Sequence, residues 1–557
     1  MLATKPSRRQ ARHLRWIDSL SDQHPDWLRL DQLLPSDHRA RLIDRVVDSL
    51  DLLPLLPDFC AGFGSASWHP SLFLKLILYE LDRGVLSPAT WFSDCREHTP
   101  VMWLLCGAQP CRTALYEARN RFSPELLEQL NQQVLQHARA ESFCSANRAS
   151  LDGTFVAAKG SRHQMLKLSR LEKRLILLEQ AISADNEVSN DCGGTLSSNR
   201  PRWMAKSPQG RKNQQKKYQV AREHLEAKIA RRKQRRASRA KGKHKAAEQA
   251  VICVTEPEAV IGKDKFKVYR PLYNVQLMRD LDSPFLLSYG VFPAATDAGL
   301  LPEMLNRTKR LAGTLPKEVL ADGIYTSVTD LQACAKEHVT LYAPVKVATS
   351  VTVKEKATTP VEQAAPASQA TAVVEERATT TGPGRSETKR QPLPMAEAKG
   401  ANGVKKYYGR ERFVWDAKTS RYTCPANEHM KRVDRRWEKR ENGGAREVER
   451  YGTKACGNCE KREECTPSKT GRKIKRMVDE PQVEALRERM ASESGKALYK
   501  KRKETIEREF ADIKEHRGMT RFTGYGPRQA ETQVGLLFLL ANGKSLTRLR
   551  QAATRAA

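Results

Sequence analysis

Three acidic residues in this chain stand where their carboxylates could hold metal ions. Asp152 lies in a short strand-like run, Asp322 follows another, and Glu507 lies on a long helical stretch. Two adjacent strands and a helix across their sheet can bring three carboxylates together, and such oxygen ligands suit hard divalent cations. Two such cations about 3.5–4 Å apart activate a water or a 3′-hydroxyl towards a phosphodiester. These three acids are therefore a candidate catalytic group.

Four cysteines form a second candidate metal site. They follow the pattern C-x31-C-x2-C-x5-C, at Cys424, Cys456, Cys459 and Cys465. Thiolates at such positions suit tetrahedral zinc, and His429 could replace one of them as a ligand. Reduced cysteines without a metal are the alternative. The pattern favours a structural Zn²⁺ site.

The charge of the chain indicates a polyanionic partner. The sequence has 97 Lys and Arg against 65 Asp and Glu, a formal net charge of +32. Residues 206–245 alone hold 16 Lys or Arg and only two acids, Glu223 and Glu226. Like charges at this density repel one another unless phosphates or counterions compensate them, so DNA is the expected partner. A solvated helical hairpin is the alternative interpretation of this segment.

Several other classes of protein are excluded by what the sequence lacks. Its longest apolar runs, 534–541 and 72–79, are far shorter than the roughly 20 residues of a membrane helix, and the basic N-terminus has no apolar h-region. There is no Walker A motif, no dinucleotide fingerprint and no G-x-S-x-G elbow. We therefore expect a cytoplasmic protein that is not associated with a membrane.

The pattern of apolar residues predicts helices first and a mixed α/β region after them. We expect N-terminal helices over 37–53 (capped by Ser36), 71–84, 88–97 and 124–140. Strands are predicted at 150–156, 268–280, 284–292, 318–320 and 339–345, and the second and third of these should be antiparallel neighbours. Helices are predicted at 164–182, 298–311 (capped by Asp297), 326–336, 480–517 and 528–550. This order is typical of an α/β fold on one mixed sheet.

Several motifs together give the chain a family resemblance. SLDGTFVAAKGS contains Asp152, VLADGIYTS contains Asp322, and YKKRKETIEREFADIKEHRG contains Glu507. With the helical segment WHPSLFLKLILYELDRGVLS and the closing QVGLLFLLANGKSL, these motifs resemble the DDE transposases of bacterial insertion sequences, an RNase H-like group. The resemblance extends over nearly the whole chain.

The glutamate motif is the most specific of these. In the family, Tyr is followed after two residues by Arg, after three more by Glu, and after six more by Lys. Tyr499 and Arg502 fit the first spacing, and Glu507 and Lys514 fit the last. One residue is extra between them, so Lys503 stands where the strict pattern has Arg, and either Arg502 or Lys503 is the expected DNA contact. The second aspartate motif also differs from the family's pattern, in which the glycine usually stands two residues after the aspartate. Here the glycine, Gly323, stands directly after Asp322, while Tyr325 keeps its place.

The resemblance implies an RNase H-like mixed sheet with flanking helices, interrupted by insertions and preceded by an all-helical domain. The expected domains are a helical DNA-binding domain at 1–145, the first part of the catalytic core at 146–345 with a basic helical insertion at 160–255, a flexible linker at 346–406, a zinc-binding insertion at 407–475, and the rest of the core at 476–557.

The resemblance also implies a reaction and its partners. Asp152, Asp322 and Glu507 would hold Mg²⁺ or Mn²⁺, while Tyr499, Arg502, Lys503 and Lys514 would contact the transposon end. The expected partners are terminal inverted repeats, target DNA and, because two ends must be paired, a second copy of the chain. Two alternatives remain: a catalytically silent DNA-binding protein derived from a transposase, and a metal-dependent nuclease that cuts without joining.

Overall fold

The computed structural model describes residues 16–17, 19–59, 67–188, 201–237, 247–264, 266–345, 395–400, 403–416, 418–439, 445–468, 470–477 and 480–556. These residues divide into two compact units. The first comprises the described residues up to Val345 and from Pro481 onward, and the second lies between Lys346 and Glu480. The chain is a mixed α/β protein with many helices, as predicted.

The first unit begins with helices packed around one apolar core. They are α1 (Pro25–Leu33), α2 (Arg39–Asp48), α3 (Leu56–Phe59), α4 (Pro70–Asp82), α5 (Pro88–Glu97), α6 (Thr99–Leu104), α7 (Arg112–Arg121) and α8 (Pro124–Ala140). The bounds predicted for α5 and α8 are confirmed. The predicted cap at Ser36 is wrong, because α2 begins at Arg39 and the His38 side chain accepts the hydrogen bond from the Ala40 N–H.

A mixed sheet follows. Its strands are β1 (Arg148–Ala157), β4 (Val260–Lys263), β5 (Tyr269–Asp280), β6 (Leu286–Phe292), β7 (Glu318–Leu320) and β8 (Thr340–Tyr342). β5 is antiparallel to β1, β4 and β6, whereas β7 is parallel to both β1 and β8. The prediction that β5 and β6 are antiparallel neighbours is confirmed. β1 thus lies between an antiparallel and a parallel neighbour, inside the sheet.

The first unit also contains helices that lie, in sequence, on either side of the second unit. They are α11 (Leu301–Ala312), α12 (Val328–Lys336), α14 (Glu480–Ala491), α15 (Glu493–Ala511), a π-helical turn (Asp512–His516) and α16 (Gly526–Ala556). The Asn542 side chain bonds both the N–H and the C=O of Leu286, which joins α16 to β6. No helix among the described residues is both long and apolar enough to cross a membrane.

A helical arm is inserted between β1 and β4. It consists of β2 (Met165–Lys167), α9 (Leu168–Val188), α10 (Pro208–Ala237) and β3 (Val251–Cys253). The arm has its own apolar core, in which Leu171 and Leu225 are fully buried. Arg211 on α10 is almost fully buried and pairs with Asp185 on α9. The other basic residues of α10 are mostly exposed, among them Lys212, Lys216, Lys217, Arg222, Arg231, Arg232 and Lys233.

The second unit is built mainly from strands. β9 (Met395–Gly400) and β10 (Gly403–Tyr408) pair antiparallel, and an antiparallel sheet contains β11 (Val414–Asp416), β12 (Arg421–Thr423), β13 (His429–Lys439), β14 (Ala445–Gly452) and β15 (Ile474–Met477). The short helix α13 (Arg462–Cys465) precedes β15. The expected linker, 346–406, lies outside the described residues except for its last part, which forms β9 and the start of β10.

Candidate active site

Asp152 lies on β1 within a group of charged side chains. Its Oδ1 accepts a hydrogen bond from the Gly153 N–H at 2.9 Å. Burial raises the pKa of the Asp152 carboxyl, Arg502 lowers it, and the carboxylates of Asp297 and Asp322 raise it further, with a net upward shift. A cation at this position would relieve the repulsion between these acids.

Asp322 lies at the same edge of the sheet as Asp152. Leu320 on β7 pairs with Ser150 on the parallel strand β1, so each acid stands two residues beyond this pair. The Asp322 carboxylate accepts a hydrogen bond from the Gly323 N–H at 2.5 Å and caps the short 3₁₀ helix Gly323–Tyr325. A side chain at position 323 would collide with the Pro344 carbonyl, which accounts for a glycine directly after this acid.

The helix α15 places Arg502 and Tyr499 beside these two acids. Arg502 is 7% exposed, and its Nη2 lies 2.9 Å from Asp152 Oδ2. Arg502 also bonds the half-buried Tyr499 hydroxyl. Burial raises the pKa of Tyr499, with Arg502 opposing the shift and the charges of Asp322 and Asp152 adding to it. Four residues predicted for the site, from three separate parts of the sequence, thus come together.

Glu507 and Lys503 lie on the exposed surface of α15. The inward surface carries instead Ile506, which is fully buried, and Glu509, which is partly buried. The Glu509 Oε1 accepts a hydrogen bond from Nε of Arg279 on β5 at 2.9 Å. Burial raises the pKa of Glu509, and Arg279 opposes that shift. A catalytic role for Glu507 stays a prediction.

Lys514 lies in the π-helical turn after α15. Its Nζ contacts the hydroxyl of Thr154, which is two residues after Asp152 on β1. Side chains two apart on a strand share one face of the sheet. Lys514 therefore brings a positive charge to the face that carries Asp152, and the expected contact with DNA stays a prediction.

Asp297 belongs to this group of charges, although the sequence pattern predicts a different role. The expected cap of α11 is wrong, because the helix begins at Leu301 and has no side-chain cap. The Asp297 carboxylate instead accepts hydrogen bonds from the side-chain amides of Asn274 and Gln276, both at 2.7 Å. The signal that could have identified it is the pair of amides at alternate positions of β5, on one face of the strand.

The acids at this edge are a donor set suited to a hard cation, but they are not preassembled around one. Among the residues that the structure describes, no three His, Cys, Asp or Glu side chains are arranged to hold a metal ion. Asp152 and Asp322 supply oxygen ligands of the kind that Mg²⁺ and Mn²⁺ prefer. Arg502 partly neutralises this group of acids through its ion pair with Asp152.

The four predicted zinc ligands come together in the second unit. Cys424, Cys456, Cys459 and Cys465 all line one cavity of about 20 Å³. Burial raises the pKa of the Cys465 thiol, Arg472 lowers it, and the other three cysteines raise it further. The pattern of spacing therefore predicted which cysteines are neighbours.

Two known families match separate parts of this chain. Residues 423–547 match a transposase DDE domain, and residues 28–121 match a transposase domain known as DUF772. Both matches are to transposase domains, and together they support a DDE transposase of the insertion-sequence type. No curated protein and no solved structure matches it.

The matched segments cover only part of the candidate site. Glu507, the residues of its motif and all four cysteines lie within the transposase DDE domain match, 423–547. Asp152 and Asp322 lie outside both matched segments. The assignment of these two acids therefore rests on their positions in the sheet and on their contacts with α15.

Proposed function

We propose that this transposase binds the terminal inverted repeats of an insertion sequence, cuts the DNA at the element's ends, and joins the freed 3′-hydroxyl to target DNA in a reaction that needs a divalent metal. The observation that supports the proposal most is the position of Asp152 and Asp322 at one edge of two parallel strands, with Arg502 beside them. Phosphoryl transfer depends mainly on positioning and charge neutralisation, and groups of this kind supply both.

The same observation supports an RNase H-like core. The sheet is mixed, helices pack on it, and the first acid lies on an inner strand with the second just past its parallel neighbour. The arm is inserted after β1, and the second unit is inserted between β8 and α14. Both insertions leave the core strands paired in one sheet.

In this proposal Asp152, Asp322 and Glu507 hold Mg²⁺ or Mn²⁺. When bound, such ions activate the attacking water or 3′-hydroxyl and stabilise the leaving oxygen. The N–H groups of Gly153 and Gly323 orient the two aspartates by hydrogen bonds. Arg502 neutralises Asp152 through Oδ2, while Oδ1 accepts the hydrogen bond from the Gly153 N–H.

Two surfaces of the chain are suited to DNA. Lys503 is exposed on α15, and the arm presents basic side chains along α10. Contacts to phosphates would set the register of the protein on DNA, with bases read by the N-terminal helices. Because two ends must be paired and joined, we propose that the transposase acts as a dimer.

A strand-transfer assay tests the proposed function. The full-length protein is incubated with Mg²⁺, a labelled duplex that ends in the element's own terminal repeat, and a plasmid target. We expect both end cleavage and a joined product that carries the label in the plasmid. Cleavage without joining would identify a nuclease, and end binding without cleavage would identify a silent DNA-binding protein; either result contradicts the proposal.

A further inference from the structure

We infer that Cys424, Cys456, Cys459 and Cys465 bind one structural Zn²⁺ ion that stabilises the second unit of this transposase. The inference is independent of the proposed DNA chemistry, because it concerns residues of the other compact unit. It rests on the position of the four thiols, on the backbone turns that present them, and on the charged side chains around them.

The four cysteines come from three separate turns that meet at one cavity. Cys424 directly follows β12, Cys456 and Cys459 belong to a 3₁₀ turn and the residue after it, and Cys465 ends α13. All four line the same space of about 20 Å³, which is enough for one ligand of about the size of a water molecule. Four thiols converging on such a space match the ligand number of structural zinc.

The backbone around the cysteines forms tight turns of the kind that present thiolates. The Asn427 N–H donates to the Cys424 carbonyl at 2.8 Å, and the Cys424 N–H donates to the Glu428 carbonyl at 3.0 Å. Gly471 has a φ of +83°, and a Cβ atom there would lie 2.6 Å from the Cβ of Cys456. Glycine is thus required opposite Cys456 for both conformation and space.

The lining of the cavity contains both apolar and basic residues. Phe413 and Met430 contribute to the lining, and both are buried. Lys461, Arg462 and Arg472 line it as well. A zinc ion with four thiolates carries two negative charges in total, which positive charges on nearby side chains would partly compensate.

The apolar core of the second unit is small. In the part of it that the structure describes, the apolar core consists of Tyr408, Phe413, Tyr422, Met430, Tyr451, Cys465 and Ile474. Small units with so few buried side chains are commonly held together by a metal or by disulfides. Cys465 belongs to this core as well as to the cavity, so a bound ion would join the turns directly to the core.

Among the described residues, no three His, Cys, Asp or Glu side chains are arranged to hold a metal ion. Zinc binding therefore requires the four sulfur atoms to move closer to one common point. Metal content is therefore the primary measurement. The full-length protein is purified under reducing conditions without chelators and analysed by mass spectrometry for metals. We expect about one zinc per chain, and Co²⁺ in its place should give thiolate charge-transfer bands and the visible bands of tetrahedral cobalt.

Variants assign the ion to these cysteines. Cys424→Ser and Cys459→Ser should each lose most of the zinc, whereas Cys111→Ser, which changes an exposed cysteine of the first unit, should retain it. Because a variant could fail to fold, the unchanged protein is also tested: a strong chelator should lower its thermal midpoint, and added Zn²⁺ should restore it. Folded wild-type protein with less than about a tenth of a zinc per chain, cysteines found in disulfides, or zinc retained by both variants would overturn the inference.

Discussion

Arg502 and Lys503 are adjacent in sequence, yet they lie in opposite environments. Either could make the same DNA contact by sequence alone, because the motif has one residue more than the family's pattern. Arg502 is buried and pairs with Asp152, whereas Lys503 is exposed. A phosphate can reach Lys503 without any rearrangement, so at the scale of single residues Lys503 is better placed to contact DNA and Arg502 to set the charge of Asp152.

Asp152→Asn separates catalysis from DNA binding. Asparagine has almost the same shape and still accepts the hydrogen bond of the Gly153 N–H, but it lacks the charge that a metal ligand needs. We expect end cleavage to fall at least about a hundredfold, or about 2.7 kcal/mol in the barrier, with affinity for the terminal repeat nearly unchanged. Gel-shift and cleavage assays on the same duplex measure both quantities.

Asp282→Asn is the matched control. Its carboxylate pairs with Arg148 at the surface of the first unit and lies outside the candidate site. We expect cleavage within a factor of about two of wild type, since exposed ion pairs contribute little. Normal cleavage by Asp152→Asn, or an equal loss in both variants, would remove Asp152 from the proposed site.

At the scale of elements, the helix α15 has two glutamates that the proposal treats differently. Glu507 is exposed and is expected to hold metal, whereas Glu509 is partly buried and bonds Arg279. Glu507→Gln should reduce cleavage at least about a hundredfold without lowering the thermal midpoint. Glu509→Gln should lower the midpoint, because Arg279 loses its partner, while the folded protein still cleaves.

The opposite result in these two variants would assign the third metal ligand to Glu509 in place of Glu507. If Glu509→Gln folds normally and loses cleavage while Glu507→Gln remains active, then the inward surface of α15 supplies the ligand. Circular dichroism of both proteins before the assay distinguishes loss of folding from loss of chemistry.

Elements whose boundaries have strong local signals were predictable from the sequence. α5 and α8 begin at Pro88 and Pro124, where proline fits the first helical turn, and their predicted bounds are confirmed. The cap predicted at Ser36 was wrong because the nearby His38, which is not among the preferred capping residues, takes this role through a local hydrogen bond. The cap predicted at Asp297 was wrong because of tertiary contacts, since side-chain amides of β5 bind its carboxylate. For the same reason Asp297 was not expected near Asp152.

Glu80 on α4 makes the stability of the N-terminal helices depend on pH. It is fully buried, and burial raises its pKa to about 8 although Arg83 opposes the shift. Because the folded state holds this proton more tightly than the unfolded state, its contribution is fully present below about pH 4.5 and is lost as the pH rises to about 8. The thermal midpoint should therefore fall over this range.

Glu80→Gln should reduce that fall, since glutamine stays neutral and can still accept a hydrogen bond from Arg83. Glu97→Gln, at an exposed position of α5, is the control and should follow the wild type. Calorimetry at several pH values compares the three proteins. Identical pH dependence in the wild type and Glu80→Gln would show that Glu80 is not the group responsible.

The arm's helix α10 is expected to bind phosphates irrespective of sequence. Lys216 and Lys217 are exposed on it, and replacing both with Gln should weaken binding to specific and unrelated duplexes alike. The slope of log affinity against log salt should decrease by about 2, because each lysine that neutralises a phosphate adds about one to it. The control is the double variant Lys309→Gln and Lys336→Gln, in which both lysines are exposed on other helices, and its slope should equal that of the wild type. Equal slopes in all three proteins would show that these lysines of the arm do not contact DNA phosphates.

At the scale of the whole molecule, the candidate site depends on residues that are far apart in the chain. Asp152 and Asp322 are separated by the arm, and Asp322 and Arg502 by the second unit. This spacing predicted that insertions must exist. The sequence could not predict which side chains meet, because that depends on the register between β1 and β7 and on the packing of α15. The pairing of Arg502 with Asp152 is a property of the folded chain alone.

Mn²⁺ binding to the full-length protein tests the central claim most directly, since it requires neither DNA nor turnover. The free ion is followed by electron paramagnetic resonance in the wild type, Asp152→Asn, Asp322→Asn and the double variant. If both carboxylates hold the same ions, each single variant should weaken binding at least about tenfold, and the double variant should be little worse than either, because the effects of shared ligands are not additive. Binding that is unchanged in either single variant, or additive losses in the double variant, would contradict a shared metal site at this edge of the sheet.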